Sequence, residues 1–203
     1  MKHFGDIMFT ETVKAEQMRR GSRDGYAKMT ARPAPEGLSE REAAFIAARD
    51  SFYMASANQN GWPYIQHRGG PRGFLKVLGP ETLGMADYRG NRQYVSTGNL
   101  QTDNRVSLFL MDYPNRARLK ILARAEVKDA ADDAELAARL HVEDEGKVER
   151  LFVFSVEAFD WNCPQFITPR FTEDEARATI QPQVDALTAE NAALKAKLAL
   201  LEG

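Results

Sequence analysis

The sequence predicts an α+β fold, mainly β with flanking helices, built on an antiparallel barrel of six to seven strands. Three observations predict it. Between Ser51 and Ala158 the chain breaks into short apolar or alternating runs separated by Asn-, Gly- and Pro-rich turns. Helical periodicity is confined to a few brief stretches outside those runs. Beyond residue 171 the pattern changes to apolar residues spaced by three and four, which belongs to a separate helix.

Residues 1–38 read as an N-terminal extension, with one short helix expected around Thr10–Arg19 and a linker at Ala31–Gly37. Ser39-Glu40-Arg41-Glu42 is a capping box, in which Ser39 takes free amides and Glu42 reaches back. It opens a short amphipathic helix ending near Asp50. Ser51–Ala57 and Pro63–His67 form a hairpin around Asn58-Gln59-Asn60-Gly61, whose Asn and Gly accept positive φ. Gly69–Gly73 interrupts the pattern. Phe74–Leu78 and Thr82–Tyr88 are the next two strands, turned by Gly79-Pro80. Arg92–Asp103 is a helical or loop crossing. Arg105–Asp112 and Lys120–Val127 follow, joined through Tyr113-Pro114-Asn115. Asp129–His141 is Ala-rich and helical, and Arg150–Ala158 closes the barrel with alternating V-F-S-V.

Composition narrows the function. The net charge of −2 gives no global field for nucleic acid or an anionic membrane. The single cysteine, Cys163, excludes an internal disulfide and a multi-Cys metal site, and the 3 histidines lack ligand spacing. No run approaches the ~20 apolar residues that span a bilayer, and the first residues lack a signal-peptide core. A soluble cytoplasmic protein is expected. No phosphate-binding P-loop and no dinucleotide G-x-G-x-x-G is present.

The chemistry concentrates between Trp62 and Asp112. Arg68, Arg72, Lys76, Arg89 and Arg92 form a basic cluster among Gly69, Gly70, Gly73 and Gly90. Glycines permit close backbone approach to a ligand. Ser96, Thr97 and Asn99 add neutral donors. A phosphate suits such a mixture, with Arg for bidentate pairing and hydroxyl or amide donors around it. A solvated basic barrel exterior is the alternative for any one of these residues.

The order of G-F-L-K (Gly73–Lys76), a hairpin, the basic loop and D-N-R-V-S-L (Asp103–Leu108) resembles the pyridoxamine 5'-phosphate oxidase-like flavin-binding split barrels. It is most similar to their FMN-binding subgroup without an assigned substrate. The resemblance covers roughly residues 40–165. It implies a split barrel over 39–170 with FMN in a groove between two protomers of a homodimer. By that resemblance Arg72, Phe74, Leu75 and Lys76 lie along the isoalloxazine and ribityl chain, and Ala86, Asp87 and Tyr88 line the ring. Asn91, Arg92 and Gln93 hold the phosphate with Lys76 or Arg68, while Ser96 and Asn99 complete its hydrogen bonds. Trp161 matches a tryptophan that reaches the partner's flavin. Asn162 and Gln165 could offer carboxamides to a pyrimidine-like edge. His67 is read as structural or as a residue near the flavin, and Trp161 alternatively closes the barrel end.

The function implied is an FMN-dependent oxidoreductase acting on a small molecule, with NAD(P)H as one possible donor and no metal. The oxidases proper carry an Arg and a His near the C-terminus that bind pyridoxal phosphate. Phe166–Arg170 and the tail hold no histidine, so vitamin B6 oxidation is not expected. Two alternatives stay open: a deazaflavin or haem in the same groove, or a non-enzymatic binding module that recruits a partner through its tail.

That tail, residues 171–203, starts with a second capping box at Thr172-Glu173-Asp174-Glu175, and Pro182 fits a first helical turn. Val184, Leu187, Asn191, Leu194, Leu198 and Leu201 then form an a/d coiled-coil seam. A lone polar a residue such as Asn191 favours a parallel two-stranded coil. The seam is under three heptads and could not hold a dimer alone. An amphipathic helix packed on its own domain is the other reading.

Overall fold

A computed structural model of the chain describes residues 1–143, 146–161 and 164–201. They fall into two compact units, Met1–Asp112 with Ala117–Pro164, and Tyr113–Arg116 with Gln165–Gly203.

The first unit opens with three helices, α1 (Phe4–Met8), α2 (Glu11–Arg19) and α3 (Arg23–Thr30). Only α2, capped by Thr10, was legible in the sequence. α1 is barely a turn, and Ser22 gives α3 no side-chain cap, so neither announces itself locally. Tertiary packing fixes them. Phe9 meets Tyr26 edge-on at 5.2 Å. A Cβ on Gly5 would sit 2.6 Å from the Phe9 ring and 2.7 Å from Thr30, so only glycine lets α1 pack here.

α4 (Glu40–Ala47) carries the expected capping box, with the Ser39 amide donating to Glu42 at 3.1 Å. Seven strands follow: β1 (Ser51–Ala57), β2 (Pro63–Gly69), β3 (Lys76–Gly79), β4 (Thr82–Tyr88), β5 (Arg105–Asp112), β6 (Ala117–Asp129) and β7 (Val148–Trp161). They form one antiparallel sheet in the order β2-β1-β5-β6-β7-β4-β3. β2 and β3 are the two ends of that order and do not pair, which makes this a split barrel. Its core takes Phe52, Met54, Leu83, Leu108, Ile121, Phe152 and Phe154, each at most 1% exposed. α5 (Val95–Thr102) and α6 (Ala134–Leu140) flank the sheet.

β6 and β7 are longer at both ends than the sequence reading, β2 is longer at its end, and α5 is shorter at both ends; three further differences have a local cause. β3 starts at Lys76, because the Phe74 amide bonds back to the Pro71 carbonyl in a turn and sends Phe74 and Leu75 into the core. α6 starts at Ala134, because Asp129 still pairs with Arg150 in the sheet and Asp133 caps the helix through the Leu136 amide. In the second unit, α7 runs from Glu173 to Leu201 with Pro182 in its interior, not in its first turn. The box at Thr172 starts the helix upstream, with the Glu175 amide on the Thr172 hydroxyl at 3.3 Å. The proline's fixed φ is compatible with helix, but its missing amide removes one bond of the ladder and its ring crowds a carbonyl of the preceding turn.

Trp161 closes the end of β7 against α4. Its indole Nε1 donates to Glu42 at 2.6 Å, its ring meets Phe45 edge-on at 4.7 Å, and the Arg41 guanidinium covers it at 4.3 Å. Burial pushes the Glu42 carboxyl up, but bonds from Ser39 and Trp161 outweigh it and hold the group below its ordinary 4.5. A carboxyl lowered on folding stabilises the protein above its unfolded pKa, and that stability is lost as pH falls through the folded value. Glu42→Gln is therefore expected to lower stability by about 1.5 kcal/mol at pH 7, the low end for a charge-assisted bond. The difference should shrink as pH falls through the carboxyl's lowered folded value. Melting temperatures of both proteins from pH 7 to 3 check this; a constant difference would refute it.

Candidate functional site

β2 presents Tyr64, Gln66 and Arg68 half-buried, alternating with exposed Ile65, His67 and Gly69. The curl of the sheet brings Arg68 to β4, the strand next to the opposite end of the order. There Asp87 is paired in register with Arg150 of β7. Asp87 Oδ1 accepts from Arg68 Nη1 at 2.8 Å, and Oδ2 accepts from Arg150 Nε at 2.9 Å and Nη2 at 2.7 Å. The three side chains are 12%, 12% and 20% exposed, so this is a half-dry arginine–carboxylate–arginine bridge. The Arg68 guanidinium lies 4.8 Å over the Phe152 ring. Its Nε is buried and has no partner among the described residues.

After β4, Arg89–Tyr94 forms the loop over this bridge. Arg92 and Tyr94 both adopt left-handed backbone, with φ of 62° and 54°. Such outliers need support from their surroundings, and they cluster where geometry serves a ligand. The support here is a cation–phenol chain. The Arg92 guanidinium, then that of Arg150, hold the Tyr94 phenol below its ordinary pKa, and Arg150 lies 4.7 Å over the Tyr94 ring. Tyr94 is also the N-cap of α5 and supplies no side-chain cap. The first-turn amides of Val95, Ser96 and Thr97 are the ones an α-helix leaves without intrahelical partners.

A cavity of about 230 Å³ results, walled by β2, Asp87, Tyr88, the loop, the first turn of α5 and Arg150. Three arginines, Arg68, Arg92 and Arg150, and one carboxylate, Asp87, line it. A second cavity of about 300 Å³ shares Arg68, Asp87, Tyr88 and Gly90 with the first, and adds His67, Gly69–Pro71, Phe74, Met85, Ala86, Arg89 and Val142. The pair makes one groove with a cationic end and a more apolar end. No metal-binding group of side chains occurs among the described residues.

Of the residues singled out in the sequence, Arg68, Asp87, Tyr88, Asn91, Arg92, Gln93 and Ser96 line the cationic cavity, and His67, Phe74 and Ala86 line its neighbour. Tyr88 is held by the Val142 backbone, whose amide donates to its hydroxyl at 2.9 Å. His67 packs edge-on against Tyr53 across the β1–β2 pair at 5.5 Å. The Ser96 hydroxyl donates to Gln66 Oε1 at 2.7 Å, so its proton is already used. Others lie elsewhere. Lys76 Nζ donates to the carbonyls of Arg139 and His141 at the end of α6, at 2.7 and 3.2 Å. Leu75 is core, and Asn99 is buried with its amide on Ser56 at 3.0 Å. Arg72 is exposed and lines neither cavity. Trp161 is engaged with α4 as described. Gln165 is exposed in the second unit, and Asn162 lies outside the described residues.

Sequence reasoning missed Tyr64, Gln66, Tyr94 and Arg150. Arg150 left a signal: it is in phase with Phe152 and Phe154, so a charge stands on the buried face of a strand and requires a partner. Tyr94 left none, because its role depends on a left-handed backbone.

Comparison with the curated proteins finds no match. Solved structures similar to the chain include a putative pyridoxamine 5'-phosphate oxidase from Lactobacillus delbrueckii, 20% identical with a TM-score of 0.48, covering 62% of this chain and 95% of that one. HupZ from Group A Streptococcus is 12% identical with a TM-score of 0.48, covering 66% and 99%. An FMN-binding protein from Syntrophomonas wolfei is 14% identical with a TM-score of 0.45, covering 72% and 97%. The family description "Pyridoxamine 5'-phosphate oxidase" matches residues 38–161, which include all seven strands and both cavities. The chain belongs to the pyridoxamine 5'-phosphate oxidase family.

Proposed function

We propose that the groove binds a flavin, FMN in the first instance, and that the loaded protein is an oxidoreductase acting on a small molecule as a homodimer. The observation that carries this reading is the cationic end of the groove. Arg92 stands exposed at its rim, and Asn91, Gln93 and the first turn of α5 surround the same space. Helix N-termini and guanidiniums together suit a phosphate monoester. The unpartnered Nε of Arg68 adds a donor on the wall between the two cavities. The neighbouring cavity, with Phe74, Met85 and Ala86 on its wall, suits a flat ring.

A bound flavin would supply hydride or electron transfer. The chain's own residues bind and orient it: Arg92 with the helix amides fixes the phosphate, and Tyr88, pinned by Val142, flanks the ring. Asp87 keeps Arg68 and Arg150 in place. Lys76, held by α6, is left out of the phosphate set.

The absorption spectrum of the purified protein is the first test, since flavin, deazaflavin and haem differ in their bands. The second is Arg92→Ala, expected to weaken FMN binding by about 1.5–3 kcal/mol, the range for a hydrogen bond to a charged group. Fluorescence titration reads this directly. Equal dissociation constants for mutant and parent would refute the phosphate assignment.

A further inference from the structure

α7 is exposed around most of its circumference, and none of its residues is buried. Helices in proteins draw most of their stability from packing an apolar face, and this one also carries Pro182 in its interior. An apolar row is present. Ile180, Val184, Leu187, Leu194 and Leu198 are 53%, 44%, 58%, 55% and 57% exposed. With Asn191 between Leu187 and Leu194 and Leu201 at the end, the steps alternate four, three, four, three, four, three. That is a 3.5-residue period, the period of a seam shared by two supercoiled helices.

We infer that the occupant of this seam is α7 of a second copy of the chain, parallel and in register. Two features choose it. Counting Val184, Asn191 and Leu198 as a positions puts Glu190 at g and Lys195 at the following e. In a parallel pair, g of one helix faces the next e of the other, so Glu190 meets Lys195 of the second copy twice, once on each side. Among the described residues neither side chain has an ion pair within its own chain. The second feature is Asn191. Within its own chain its amide donates to the Leu187 carbonyl, at 3.1 Å. In register and parallel, it faces the matching amide and both are satisfied. An antiparallel pair sets an a residue against d, which places Asn191 against a leucine and leaves a polar group unmatched. This pairing is independent of what the groove binds.

A disulfide trap in the full-length chain tests it. With Cys163 replaced by Ser, the two variants compared are Asn191→Cys, on the seam, and Ala189→Cys, on the outer face of the same turn. Disulfides need Cα atoms within about 7 Å. Seam positions in a parallel in-register pair approach that closely, whereas outer positions have Cα atoms about 14 Å apart, with axes about 10 Å apart and each Cα about 2.3 Å beyond its own axis. Under mild oxidation the Asn191→Cys protein should become a reducible covalent dimer, at least about tenfold more than Ala189→Cys. Both sites are exposed, so both variants fold, and their melting temperatures before oxidation verify it. Adding Leu194→Lys to Asn191→Cys should suppress the cross-link. Equal yields at the two sites, no cross-link at 191, or indifference to Leu194→Lys would overturn the pairing.

Discussion

Asp87→Ala is expected to lower the stability of the sheet unit by about 3 kcal/mol and to weaken flavin binding with it. The size follows from what is left behind. Removing one partner of a buried pair costs about 3–5 kcal/mol, because the remaining charge stays desolvated and unmatched. Here two arginines lose their acceptor at once, and each retains 12% or 20% exposure, which places the loss at the low end of that range. Asp87→Asn should cost less, since one carbonyl oxygen still accepts from one guanidinium. The bridge also joins β2 to β4 and β7 through side chains alone, between strands that share no ladder with β2. Its loss should let β2 drift and widen the groove at Arg68. Urea unfolding measures the first effect and FMN titration of the folded variant the second. Unchanged midpoints would mean that the arginines find water or other acceptors, and that the bridge is not what closes this side of the barrel.

Much of the barrel was legible because its signals are local. β1, β4 and β5 start and stop where alternation meets a turn, and their limits coincide with the sequence reading. Phe74 and Leu75 were misread as strand for a physical reason: both are apolar enough for either role, and the Pro71–Phe74 turn decides between them. The basic loop was legible as composition, but its backbone was not. Nothing in Gly90–Tyr94 announces two left-handed residues, and those turn Arg92 and Tyr94 toward the groove. Lys76 shows the converse. It sits in the right stretch of sequence, yet the α6 carbonyls at 2.7 and 3.2 Å claim its charge, a contact over more than sixty residues that no local pattern encodes.

Phe152→Ala and Phe154→Ala are expected to cost about the same stability, roughly 3–5 kcal/mol each, as large-to-small changes in a closed core do. Both rings are fully buried, stacked on each other at 6.1 Å, and they stand on one face of β7. For a chain of this size each kcal/mol lowers the melting temperature by about 2–4 °C, so either variant should melt roughly 10 °C or more below the parent. Ligand binding should separate them. Phe154 faces Phe52 at 6.5 Å, inside the barrel. Phe152 lies beneath the Arg68 guanidinium at 4.8 Å, so it is both core and the floor on which that arginine rests. A cation over a ring in a desolvated place is worth about 1–2 kcal/mol. Measured at a temperature where both variants are folded, Phe154→Ala should leave the FMN dissociation constant nearly unchanged, and Phe152→Ala should raise it about fivefold or more. Equal affinities in the two variants would show that Arg68 is oriented by Asp87 alone. The ring beneath it would then be ordinary core, and the coupling between barrel packing and the groove would be carried by the Asp87 bridge without it.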